Sequence, residues 1–234
     1  MTPCGTIRKY SPRRRFLQRI VLSLVLALSL FSNLAWTSQM AIMVLNPQTW
    51  GGGHPPSDWQ IKVNHGKPVI STCPAADVSC LDLKSVRSSF ALERSVDVDP
   101  YETRYLTWRW RVAELPAGGD FRHAWTDDQA AQVMVAFADR RVLSYIWDTN
   151  APKGTMQNAS SIPLVHIFAV VCESGAADVN RWLPEMRDVA ADYERAYGKA
   201  APHVKGLRIQ INSQHTGTAA ESSFGEVVFR SKPE

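Results

Sequence analysis

The sequence predicts a mostly β protein: a two-sheet antiparallel sandwich of the jelly-roll kind, carrying one amphipathic helix. Three observations support this. Short strand-like runs recur between turn signals rich in Pro, Gly, Asn and Asp. Residues 105–112 alternate strictly, with Leu106, Trp108, Trp110 and Val112 on one side and Tyr105, Thr107, Arg109 and Arg111 on the other, as a half-buried strand requires. One segment shows a helical stripe instead: Met186, Val189, Ala190, Tyr193 and Tyr197 fall on one face at a period of about 3.6. Many short strands with one helix favour packed sheets over an α/β fold.

The chain opens on a different signal. Arg8, Lys9, Arg13, Arg14, Arg15 and Arg19 precede an apolar run at residues 20–31. A basic segment followed by a short apolar one is the layout of an export signal, and this run is shorter than the roughly 20 residues a spanning helix needs. Arg13, Arg14 and Arg15 followed by Phe16 and Leu17 resemble the twin-arginine signature, with Gln18 where Lys is usual. The twin-arginine and general secretory routes both stay open. No clean small-x-small triplet follows, so residues 1–41 read as a cleaved signal or a retained N-terminal anchor. The expected location is periplasmic or extracellular, with contact to membrane only through that segment if it is kept.

Residues 42–58, with three glycines and three prolines, read as an irregular lead-in. Residues 59–234 then form the sandwich domain, large enough for a real core. The chain is formally +4, yet all six basic residues of the first 41 stand without an acidic one; the remainder holds 20 basic and 22 acidic residues. The basic excess belongs to the targeting segment. A nucleic-acid footprint is therefore absent from the folded part.

Cys73 and Cys80 flank a six-residue turn. In an oxidising compartment they read as a disulfide, and their spacing does not suit a zinc knuckle. Cys172, inside an apolar run, reads as a buried thiol.

Strand-like runs are expected at residues 59–63, 88–96, 105–112, 132–137, 142–147, 166–172, 207–211 and 224–229. The helix stripe begins near Pro184, which suits a first turn, and Gly198 suits its C-terminal cap. Within that helix Arg187 finds no acidic partner one turn on, and Asp188 and Asp192 form a like-charge pair in need of a cation, with Arg195 the nearest.

The order of motifs carries a resemblance. Residues 106–112 with their two tryptophans come first, then Asp127, Asp128 and Gln129, then Tyr145 to Asp148, then Arg187 and Asp188 with Asp192 and Tyr193, then Gly225 and Glu226 before the last apolar run. As a set over roughly residues 59–229 this resembles the bacterial domain of unknown function 3047 family. The resemblance implies a secreted β-sandwich and no established activity. It also implies an acidic Asp-x-Asp-x-Thr segment before the last strand. This chain has Asn212, Ser213, Gln214, His215 and Thr216 there, so both carboxylates are missing.

Candidate ligand-binding residues are Arg109, Asp127, Asp128, Trp147, Asn212 and His215. Asp127 and Asp128 are neighbours on a strand start and so point to opposite faces. Their bland role is a turn cap and an ion pair with Arg109 or Arg111; a calcium site made with nearby carbonyls is the metal alternative, although no Ca²⁺ loop spacing is present. Arg109 suits a sugar-binding face, or equally an ion pair across the sheet. Among eight tryptophans, Trp108 and Trp110 belong to the core by their neighbours. Trp125, Trp147 and Trp182 fall nearer loops or strand ends, where an aromatic can stack on sugars or pack a loop. His215 replaces part of the acidic segment and can serve as base or ligand. No nucleophile elbow, phosphate loop or metal-ligand spacing of histidines is present.

The reading is therefore an exported β-sandwich that binds a glycan or other small polar ligand without catalysis and without a cofactor. A glycan-active enzyme would need two converging carboxylates from among Asp127, Asp128, Asp148, Glu221 and Glu226. An envelope scaffold is the third class.

Overall fold

The computed structural model describes residues 39–51, 54–73, 79–159 and 166–233. Of the export segment read from the sequence, residues 1–38 lie outside the described residues. Among the described residues no helix is long and apolar enough to cross a membrane.

The predicted sandwich is present. One sheet has six strands: β1 (Ala41–Leu45), β3 (Val69–Thr72), β4 (Leu81–Val86), β6 (Tyr105–Glu114), β11 (Leu183–Asp188) and β13 (Ala219–Arg230). Their order is β11-β6-β13-β4-β3, with β1 also on β13. The other has seven: β2 (Trp59–His65), β5 (Ser89–Val98), β7 (Ala131–Phe137), β8 (Arg141–Asp148), β9 (Met156–Asn158), β10 (His166–Ser174) and β12 (Val204–Asn212), in the order β2-β5-β12-β7-β8-β10-β9. One refinement concerns direction. β8 and β10 pair in parallel, while the other described pairings are antiparallel.

The alternation of β6 decides which sheet face is inside. Leu106, Trp108, Trp110 and Val112 are all buried. Their rings meet those of the seven-stranded sheet: Trp108 lies 5.4 Å from Tyr145 and Trp110 lies 6.1 Å from Trp147, centroid to centroid. These tilted aromatic contacts form the middle of the core. Cys73 and Cys80 are joined, with Cα atoms 5.2 Å apart, and the bond closes the β3–β4 connection. Cys172 is buried, and burial drives its thiol pKa far up, which keeps it protonated.

Five strands escaped the sequence. β1 pairs with β13 from Ala41 opposite Arg230, so sheet structure begins on the last residue assigned to the export segment and runs through Leu45 of the stretch expected to be irregular. β3, β4 and β9 are short. β11 is the instructive one, because Pro184 and Met186 were expected on the helix. The structure places them on an edge strand paired with β6, with Met186 opposite Thr107. Without β11 the edge of β6 would present a row of unpaired backbone groups. Helix α1 is correspondingly shorter, Val189–Tyr197. Asp188 is its N-cap, accepting the Ala191 N–H at 3.0 Å, and left-handed Gly198 is its C-cap, as expected.

The interior edge beside β11 carries charge. Glu185 accepts from Trp110 Nε1 at 3.2 Å, and Glu173 receives Lys153 Nζ at 2.6 Å. Burial first, and the Glu173 carboxylate second, push Glu185 up to about 7. The folded state therefore keeps a proton that the unfolded chain gives up near its ordinary value of 4.5. Stability should fall as pH rises through that window, because there the native state binds more protons. At about 1.4 kcal/mol per unit, discounted for partial exposure, the decline amounts to about 2 kcal/mol. Urea unfolding of Glu185→Gln at acid and alkaline pH should lack this decline. A variant as pH-dependent as the parent would refute the proton retained on Glu185.

Candidate functional site

The outer face of the seven-stranded sheet holds the site. Strand alternation sends Leu207, Ile209 and Ile211 of β12 into the core and turns Arg208, Gln210 and Asn212 outward. On β7 the outward set is Gln132, Met134 and Ala136; on β8 it is Val142, Ser144 and Ile146. The cross-strand register stacks these into rows. One runs through Glu93, Arg208, Met134, Ser144 and Ala169. Another runs through Ala91, Gln210, Gln132 and Ile146. Small residues, Ala169 and Ala91 in these rows and Gly206 opposite Ala136 in the next, leave room above the floor. Two hollows of about 470 and 390 Å³ result, and they share Met134, Ile167 and Arg208. They form one groove across the strands.

A loop at residues 115–130 walls one end. Phe121 and Ala124 line the groove from it, and Phe121 packs on Ile146 and Ala169. Asp148 anchors the loop: its buried carboxylate accepts the backbone N–H of Phe121 at 3.0 Å, Asn150 at 2.9 Å and Ala151 at 2.7 Å. Burial raises this carboxyl's pKa, opposed by those three bonds. Gly119 is required by close approach, since a Cβ there would stand 2.5 Å from the Asp128 carbonyl oxygen.

Asn212 is the keystone of that end. Its Oδ1 accepts from Gln129 N at 2.9 Å and Gln132 Nε2 at 2.7 Å, and its Nδ2 donates to the Asp127 carbonyl at 2.7 Å. Asp127 takes Gln129 Nε2 at 2.9 Å; burial pushes its carboxyl up, against that bond and the nearby His215. Asp128 is fully buried behind the wall and accepts Thr216 N at 2.6 Å. Arg208 pairs with Glu93 at 2.8 Å, and Arg94 with Asp58 at 2.8 Å. Three buried polar atoms here have no hydrogen-bond partner: Arg208 Nε, Gln214 Oε1 and Asp128 Oδ1.

Of the six residues singled out in the sequence, Asp127, Asn212 and His215 line the groove and Asp128 stands behind it. Arg109 and Trp147 do not join them. Arg109 lies on the outer face of the other sheet, its guanidinium 5.9 Å from the Trp182 ring. Trp147 is fully buried, because its parity on β8 is that of Leu143 and Tyr145, and its Nε1 donates to Gly175 O at 3.1 Å. Neither Asp127 nor Asp128 pairs with Arg109 or Arg111; Arg111 instead donates to Ser223 Oγ at 3.1 Å. The sequence reading missed Gln129, Gln132, Arg208 and Gln210. Their period-two placement was visible, but such a pattern is also that of any solvated sheet face.

The enzyme candidates do not converge. Asp148 clamps a loop, Glu221 pairs with Lys84 at 2.9 Å on the six-stranded sheet, and Glu226 lies on that same sheet. Among the described residues the grouping with metal-ligand proximity is Cys73, Cys80 and Asp82, and its two sulfurs are spent in the disulfide.

Fold and site together define a β-sandwich with an amide-lined groove across its larger sheet. The chain belongs to the family described as "Protein of unknown function (DUF3047)", whose model matches residues 48–228. No curated protein matches it. Among solved structures it is similar to the xyloglucanase domain of NopAA, a type three effector from Sinorhizobium fredii in complex with cellobiose (8% identity, TM-score 0.46, 75% of this chain and 95% of that one). It is also similar to endoglucanase cel12A from Rhodothermus marinus (8%, 0.44, 82% and 99%). A third is the family 11 carbohydrate-binding module of cellulase Lic26A-Cel5E of Clostridium thermocellum (5%, 0.41, 81% and 93%). Likeness at this level carries no argument about activity.

Proposed function

We propose that this protein is a non-catalytic module that binds a neutral, hydroxyl-rich glycan in the groove of its seven-stranded sheet. The observation that carries the reading is the lining itself: the Gln210 amide and the His215 ring stand beside Gln129, Gln132 and Asn212, whose NH2 groups are spent holding the groove's end, over an apolar floor of Met134, Ile146 and Ile167. Sugars present the same mixture, hydroxyls at the rim and C–H faces between them. Charge supports neutrality, because Arg208 and Arg94 are each matched by a carboxylate within 2.8 Å. Geometry supports a linear chain lying across the strands. Adjacent strands are about 4.8 Å apart, close to the advance per residue of an extended pyranose chain. Trp125, 74% exposed and stacked on His123 at 5.8 Å, directly follows groove-lining Ala124 on the wall loop and offers an aromatic face there.

The Cys73–Cys80 disulfide supports a place in an oxidising compartment outside the cytoplasm, in line with the basic-then-apolar start.

Isothermal titration of the full chain with xyloglucan, mixed-linkage β-glucan and polygalacturonate tests the reading. Neutral polymers should bind and the polyanion should not. Gln132→Ala with Gln210→Ala should weaken binding about tenfold, the worth of one or two hydrogen bonds. Tighter binding of polygalacturonate, or an unchanged double variant, would overturn the proposal. Release of reducing ends would convert it into an enzyme.

A further inference from the structure

His215 sits where the groove meets a buried carboxylate. Its Nδ1 lies 3.1 Å from the Asp127 carbonyl oxygen and 3.5 Å from Asp128 Oδ1. Asp128 is fully buried, its Oδ2 holds Thr216 N–H, and its Oδ1 has no hydrogen-bond partner. The imidazole side chain is 40% exposed and lines the groove.

Two oxygens that can only accept thus face one ring nitrogen. That nitrogen must carry a proton, or a buried lone pair of Asp128 and a carbonyl would both oppose a third lone pair. Gln214 Nε2 stands 3.3 Å from Nδ1 and 3.5 Å from Nε2 of the same ring.

We propose that Asp128 is a positioning residue that holds His215 in the Nδ1–H tautomer, so that Nε2 offers the groove a hydrogen-bond acceptor for a ligand hydroxyl. Aspartate behind histidine fixes the ring and the tautomer, as a carboxylate does behind a metal-bound or catalytic imidazole. The ligand half of this inference rests on the glycan reading of the groove; the tautomer does not. The other charged or titratable residues at this end are Asp127 and Asp128, with Arg208 further along the floor.

Long-range ¹H–¹⁵N correlation spectra of the full chain, labelled at histidine, read the tautomer directly, with His215→Gln assigning the signal. At alkaline pH His215 should be predominantly Nδ1–H. In Asp128→Asn the side-chain amide can donate to Nδ1 instead, and the Nε2–H form should rise to a substantial share. An Nε2–H ring in the parent, or a ratio unmoved by Asp128→Asn, would overturn the proposal. In parallel, His215→Ala should weaken xyloglucan binding about three- to tenfold, as loss of one hydrogen bond implies. Unchanged affinity in His215→Ala would overturn the acceptor role. Absence of any glycan binding would sink the glycan reading and remove the acceptor's ligand, while the spectra still decide the dyad.

Discussion

Asp192→Ala should cost about 3–5 kcal/mol of folding stability, the usual penalty for stripping one partner from a buried ion pair. The side chain of Asp192 is 5% exposed and that of Arg187 27%. Arg187 Nε donates to Oδ2 at 2.8 Å and Nη2 to Oδ1 at 2.7 Å, a two-pronged bond. Tyr145 Oη donates to the same carboxylate at 3.1 Å, and the guanidinium lies over the Tyr145 ring at 5.6 Å. Burial works to lower the pKa of Arg187, yet the Asp192 contacts outweigh it and the net direction is upward. Arg195 stands 4.0 Å away with its side chain 63% exposed, so it is too loose to take over. Alanine would leave a guanidinium and a phenol stranded beside the core. Urea unfolding measures the loss, and a melting shift of about 10 °C should accompany it in a domain of this size. Replacing Arg187 and Asp192 together with Met and Leu should recover most of the stability, because the penalty is that of a lone charge and not of a lost attraction. A loss under about 1 kcal/mol for Asp192→Ala would mean the pair behaves as a surface one.

That ion pair shows what the sequence could reveal and what it could not. Asp192 is a helix residue, as its spacing suggested, but Arg187 is not. The apolar spacing of Met186 with Val189 and Ala190 mimics a helical stripe, so Arg187 was expected at i and Asp192 at i+5, on different faces. The partner that overrides this is the edge of β6, distant in sequence. Once β11 answers it, Arg187 sits on a strand pointing inward and meets Asp192 across the strand-to-helix corner. Strand alternation in β6 and β8 was legible because it is local. Pairings that depend on another strand's unmet hydrogen bonds were not.

The groove divides in the same way. Asp127, Asn212 and His215 drew notice through residue type and position in a motif. Gln132 and Gln210 did not, although Gln210 lies opposite Gln132 in the register. Each is an ordinary outward residue on its own strand. Only the order β5-β12-β7-β8 places them side by side, and that order links segments some eighty residues apart. The Asn212 amide illustrates the point. Its type suggested a lost carboxylate, whereas in the fold it tethers Gln129, Gln132 and the Asp127 carbonyl at once, which a carboxylate, having no donor, could not do.

The tryptophans give the second large effect. Trp147→Ala should cost about 3–5 kcal/mol, the range for emptying an aromatic site in a core. The ring is fully buried against Trp110. The cavity would open between two sheets whose backbones are fixed by their ladders and cannot close on it. Trp147→Phe should restore the larger part of the loss and leave a deficit of about 1 kcal/mol for the missing Nε1–H bond to the Gly175 carbonyl. Trp125 is the control. At 74% exposure its replacement by Ala should leave stability within about 0.5 kcal/mol of the parent. Binding should respond in the opposite sense: Trp125→Ala weakens retention on xyloglucan, while Trp147→Phe, once folded, retains it. Both tryptophans fall near predicted loops or strand ends, Trp147 closing the strand-like run of residues 142–147. What separates them is parity: Trp147 shares the inward side of β8 with Tyr145, and Trp125 belongs to a loop that has no inward side. If Trp147→Ala unfolded no more readily than the parent yet lost the ligand, the inward assignment of β8 would be wrong, and the outward face with its groove would have to be redrawn.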